Sequence, residues 1–197
     1  MIQAVILVLK NLDLQSNLPN LNSLVSKGVT GRLVWTKSGS LESALNLHMQ
    51  GQVLSNYSVD IPHTSVVAEE VLGLIQNSNL SLVLLDCSQP GTTEVAEWIC
   101  ALENVHLSVV VSHCNFPDFP KVPKQSFNFM ECKDISSEVF TEHCAAYVEY
   151  ENNYTRVDWV QNLGEMLSEV GANRVILAHN HTKEVCFRLG ISKKYGA

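Results

Sequence analysis

Charge is scarce in this chain, and positive charge scarcest: charged residues make up 17% of 197, with 13 Lys and Arg against 20 Asp and Glu, for a formal net charge of -7. A nucleic-acid groove or an anionic membrane surface needs clustered cations to displace counterions. No such cluster occurs, so neither partner is expected. Long apolar runs are also missing. The longest, AVILVL at 4–9, falls far short of the roughly 20 residues of a spanning helix, and it lacks the basic start and small-residue cleavage site of a secretory leader. The expectation is a cytoplasmic protein. The six cysteines (87, 100, 114, 132, 144, 186) include no C-x-x-C pair, as suits a reducing compartment where thiols act mostly as small apolar residues. There is no P-loop, no G-x-G-x-x-G and no H-E-x-x-H, which removes the usual anchors of nucleotide-binding and zincin readings.

What is present is globular. Hydrophobic residues are 46% of the chain, and a chain of this length buries about three quarters of its unfolded surface. Residues 2–9, 80–85 and 105–111 are apolar with little alternation, the pattern of parallel strands covered on both faces. Between them lie segments of helical period. Pro19 to Lys27 is closed by Gly28; Thr64 to Gln76 carries Val67, Val71, Leu74 and Ile75 on one stripe; Thr92 to Leu102 carries Val95, Trp98, Ile99 and Leu102. A later helix is expected from Thr155 to Val170, opened by a capping-box-like Thr155 and Asp158, and NRVILAH at 173–179 reads as a further strand. The alternation predicts one α/β domain over 1–197, a layered sandwich around a mostly parallel sheet, with an irregular three-proline loop near 115–124. In such sheets the loops after the strands build the site.

Several residues can carry chemistry, each with a structural alternative. His179 and His181 can both ligate a metal if HNH is extended, or they open the last helix. His63 is a base beside Asp60 or a turn residue at a helix entry. Cys114 is a nucleophile, its pKa lowered by His113 or His179, or an incidental thiol. Ser40 caps a helix, or it is a nucleophile presented where an anionic ester is welcome.

AVILVL followed by PNLNSLVSKGVTGRL resembles the opening of alkaline-phosphatase-like metalloenzymes, nearest the archaeal-type cofactor-independent phosphoglycerate mutases. SGSLESALNLHMQG resembles that family's nucleophile helix and puts Ser40 at the attacking serine. LSLVLLDCSQPG and VHLSVVVSHCN resemble the strands that carry its Asp, His and SDHG metal ligands. The resemblance covers about half the chain. It implies an alkaline-phosphatase-like fold and paired divalent ions, zinc or manganese, that polarise a phosphoester; if metal is bound here, Asp13, Asp86, His113, Cys114 and His179 are the candidate positions. The chain departs from the pattern at the ligands. Lys10 and Asn11 stand where the first aspartate is expected, with Asp13 two residues on; Asp86 comes too early for the family's aspartate and no histidine follows; and SDHG has become Ser112, His113, Cys114 and Asn115. The stretch from Ser40 to Leu80 is also shorter than the mutases' inserted cap. The first expectation is therefore a non-catalytic or residual domain, without a cofactor, that binds a protein or a small phosphorylated ligand. The alternative is a metal-dependent phosphoester hydrolase or phosphomutase with Ser40 as nucleophile. A third reading is a cysteine hydrolase using Cys114 or Cys144.

Overall fold

The computed structural model describes residues 4–10, 12, 16–35, 41, 45, 58–60, 82–87, 93–112, 143–152, 158–173 and 175–190, with 58–60, 82–87 and 179 described by backbone course alone. In chain order the elements are β1 (Ala4–Leu9), α1 (Pro19–Lys27), β2 (Val29–Val34), β3 (Ser58–Asp60), β4 (Leu82–Cys87), α2 (Thr93–Cys100), β5 (His106–Val111), β6 (Cys144–Tyr150), α3 (Leu163–Ser168), β7 (Val175–Leu177) and α4 (Ala178–Arg188). The strands form one sheet in the order β3-β4-β1-β5-β6-β2-β7.

The expected mostly parallel sheet is instead mixed. β1 pairs in parallel with β4 and β5, β3 with β4, and β2 with β7, but β6 runs antiparallel to both β5 and β2. A strand running against its neighbours can join them without a crossover helix on each side. Its sequence, CAAYVEY, carries no long apolar run to announce it.

All six residues of β1, β2 and β5 are buried, and their side chains divide by parity between two faces. Val5, Leu7, Leu9, Leu107, Val109, Val111, Ala146 and Val148 share one core with Leu21, Leu24 and Val25 of α1, Ala96, Ile99 and Cys100 of α2, and Leu163 and Met166 of α3. Ala4, Ile6, Val8, Leu33, Val110, Ala145 and Tyr147 face the other way and pack with Ala178, Val185 and Cys186 of α4. The sheet thus lies between two helical layers.

Helix α1 begins and ends where the sequence predicts, for unexpected reasons. Its N-cap, Leu18, makes no side-chain bond. Instead the Glu97 carboxylate of α2 accepts from Asn20 N–H at 2.8 Å and Leu21 N–H at 2.9 Å, while Asn20 Nδ2 donates to Glu97 O at 3.0 Å. An anion at a helix amino end also complements the dipole. Gly28 closes the helix in extended backbone; a Cβ there would stand 2.5 Å from Val148 Cγ2 and 2.6 Å from Glu149 O. Close approach to β6 therefore requires glycine here.

Two boundaries differ from expectation. The helix expected from Thr155 starts only at Leu163, because Asp158 is used elsewhere: it accepts from Thr30 N at 2.7 Å, Thr30 Oγ1 at 2.8 Å and Ala172 N at 3.2 Å, pinning this loop to β2. The capping box falls at Asn162, which accepts from Glu165 N at 3.0 Å, with Glu165 returning acceptors to Gln161 N and Asn162 Nδ2. The strand expected over 173–179 stops at Leu177, and the helix takes up His179 to His181. The expected helix at 64–76 and the loop at 115–124 lie outside the described residues.

Candidate functional site

Of the residues expected to carry chemistry, Ser40, Asp13, His113, Cys114 and His63 lie outside the described residues. Asp86 is the penultimate residue of β4, in register with Val8 on one side and Asp60 of β3 on the other. His179 is the second residue of α4. The extended HNH on which shared ligation rested is helical, and residues two apart on a helix do not face each other. At the carboxyl end of central β1, flanked by β4 and β5, the chain continues into half-buried Lys10. Cys144 is a half-buried cysteine at the start of β6, and Cys100 and Cys186 are buried free thiols. Burial pushes both of those buried thiols up, with Glu97 adding to the effect at Cys100. Among the described residues no group of three or more His, Cys, Asp or Glu is disposed to hold a metal ion.

The structure brings together a different set. Residues of one parity on β5 and β6 face α4, and where their neighbours are apolar, Ser108 and Glu149 are polar; they are direct cross-strand partners. His181, descending from α4, sits between them. Its Nε2 is 2.6 Å from Ser108 Oγ, and its Nδ1 is 3.0 Å from Glu149 Oε1. The tilted ring of Tyr147 lies against the imidazole, with centroids 4.7 Å apart. Arg188, at the end of α4, places NH1 3.5 Å from Glu149 Oε2 and donates through Nε to Glu184 Oε1 at 3.0 Å. His106, two residues before Ser108 on the same face, has Nδ1 3.6 Å from Glu151 Oε2.

Burial alone would raise the Glu149 pKa. The charges of His181, Arg188 and His106, with a hydrogen bond from His181, outweigh it and hold the carboxyl below its ordinary value. Glu149 is therefore an anion at neutral pH. Burial drives the His106 imidazole the other way, below its ordinary value, against the opposing pull of Glu149 and Glu151. The Tyr147 phenol is pushed well above its usual range, first by burial and then by Glu149.

Hydroxyl, imidazole and carboxylate in this order have the connectivity of a nucleophile, its base and an orienting acid. Their setting does not suit that chemistry. Ser108 and His181 are fully buried and Glu149 is 2% exposed. Ser108 is also flanked by Ile6 of β1 and Glu149 of β6 in register, so a substrate has no approach to its Oγ. It sits three residues, about 10 Å, behind the carboxyl end of β5, away from the edge where α/β sites form. What the cluster does here is fasten α4 to the sheet. The sequence offered a signal for it: single polar residues at alternate positions in HLSVVV and an acid within AAYVEY. No protein-family model, curated protein or solved structure matches the chain.

Proposed function

We propose that this chain is a non-catalytic or residual alkaline-phosphatase-like domain of the cytoplasm, acting by binding a protein partner or a small phosphorylated ligand. The observation that carries the reading is Lys10 at the end of β1, in the middle of the sheet, where the family resemblance expects a metal-binding aspartate. An ammonium there repels a divalent ion and attracts a phosphate. Trp159, 59% exposed, favours a protein partner: it stands between anchored Asp158 and fully buried Val160, and an aromatic side chain held rigidly at the surface suits an interface.

Metal analysis and phosphatase assays of the purified chain test the proposal. Absence of tightly held manganese or zinc, with no turnover of aryl phosphates, is the expected result. About two ions per chain, with turnover abolished by Ser40→Ala, would replace it with the alternative: a metal-dependent phosphoester hydrolase or phosphomutase using Ser40, Asp13, Asp86, His113 and His179. The side-by-side register of Asp60 and Asp86 at the ends of β3 and β4 favours that alternative.

A further inference from the structure

Helix α4 is held to the sheet by two kinds of contact. Ala178, Val185 and Cys186 join the apolar core, while His181 and Arg188 reach Glu149 at 3.0 and 3.5 Å. On the face of β5 that packs toward α4, two residues before Ser108, lies His106, 4% exposed. The charged and titratable groups that act on it, among the described residues, are Glu149 of β6, Glu151 just after β6, and His181 and Arg188 of α4. Only Glu149 is a fully buried anion in this set; the Glu151 side chain is 39% exposed, and solvent weakens its pull.

We propose that His106 is an acid-sensing latch, whose protonation loosens the carboxyl-terminal half of α4 from the sheet. A proton on this ring adds a cation to a seam that already holds Arg188 against one buried carboxylate. Freeing α4 hydrates His106 and returns it to the ordinary histidine range, near pKa ~6.5. The docked form, whose His106 pKa is depressed by burial, binds the proton less well than the loosened form. Docking is therefore at full strength above about pH 6.5 and weakens as pH falls toward the docked value. With the loosened form near ~6.5 and the docked form below it, the opening equilibrium rises as pH falls from 7.5 to 5.5, by at most about tenfold. Glu149 titrates below its ordinary range and contributes only in a more acidic window.

Hydrogen exchange of the full chain at pH 7.5, 6.5 and 5.5, corrected for intrinsic rates, reads the latch directly. Protection of α4 amides is expected to fall by up to about tenfold while β1 and β5 stay protected, and His106→Gln is expected to flatten the dependence. Ring resonances of the unmutated protein give a second readout that does not require the variant to fold, with His106 titrating below 6.5. Unchanged α4 protection, an equal loss in His106→Gln, or a His106 that titrates at or above 6.5 would each overturn the proposal.

Discussion

Ser108 Oγ and His181 Nε2 stand 2.6 Å apart with neither residue exposed to solvent. One comes from the middle of a buried strand and the other from a helix 73 residues further along the chain, so the contact exists only when α4 is seated. Buried polar groups of this kind specify a packing geometry, because leaving one unmatched costs more than the bond contributes.

Removing the central member should therefore be severe. His181→Ala leaves the buried Glu149 carboxylate without the side chain that stands 3.0 Å from its Oε1 and is expected to cost about 3 kcal/mol or more, since an unmatched buried charged group is penalised most. Ser108→Ala leaves the buried His181 Nε2 without its partner and should cost about 1–3 kcal/mol, less than the loss at the carboxylate. Urea denaturation of the two variants checks the ranking; equal losses would mean that the buried Glu149 carboxylate does not depend on His181.

Asp158 fastens the segment before α3 to β2 through three short bonds to Thr30 and Ala172. Asp158→Asn places an amide among donors and should cost about 1–3 kcal/mol. Although burial opposes ionisation, the bonds from Thr30, Ala172 and Val160 hold this carboxyl below its ordinary value. Its contribution is thus present above about pH 4 and lost as pH falls through the lowered value. Thermal melts from pH 6 to pH 3 should show this acid loss in the parent and a smaller one in Asp158→Asn.

Glu97 caps α1 from another helix, and its replacement by alanine removes both acceptors of Asn20 and Leu21 N–H. The expected cost is about 2 kcal/mol, within the range for loss of a charged cap. Exchange protection should fall first in residues 19–27, while a uniform loss across the sheet would contradict the capping role.

Gly28→Ala tests the close approach of α1's end to β6. The added methyl meets Val148 Cγ2 and Glu149 O, and shifting β6 to make room should cost about 1–3 kcal/mol. A stability gain, as expected if the glycine were merely flexible, would refute the contact.

The strands and helices with strong local signals were legible from the residues. AVILVL has no polar face and HLSVVV ends in an unbroken apolar run, so both read as doubly covered strands, and Pro19 with Gly28 bounded α1. The weakly marked elements were missed for physical reasons. β6 mixes small, aromatic and acidic residues, and its antiparallel direction is set by its partners. Asp158 reads equally well as a helix cap or as a loop anchor, and only Thr30, 128 positions away, decides between them. The first turn of α4 resembled a strand ending because Val175, Ile176 and Leu177 lead straight into Ala178 without a turn residue.

Local chemistry alone determined an α/β chain with a large apolar core, poor in cationic surface. Among the described residues no helix is long and apolar enough to cross a membrane, in keeping with the short apolar runs. The tertiary structure alone decided that β6 reverses the sheet, that Glu97 caps α1, and that Ser108, His181, Glu149, Arg188 and His106 form one seam. The reason is range: hydrophobic period and cap chemistry act over a few neighbouring residues. Charge pairing and strand direction depend on side chains that only the folded chain brings within a few ångströms of one another.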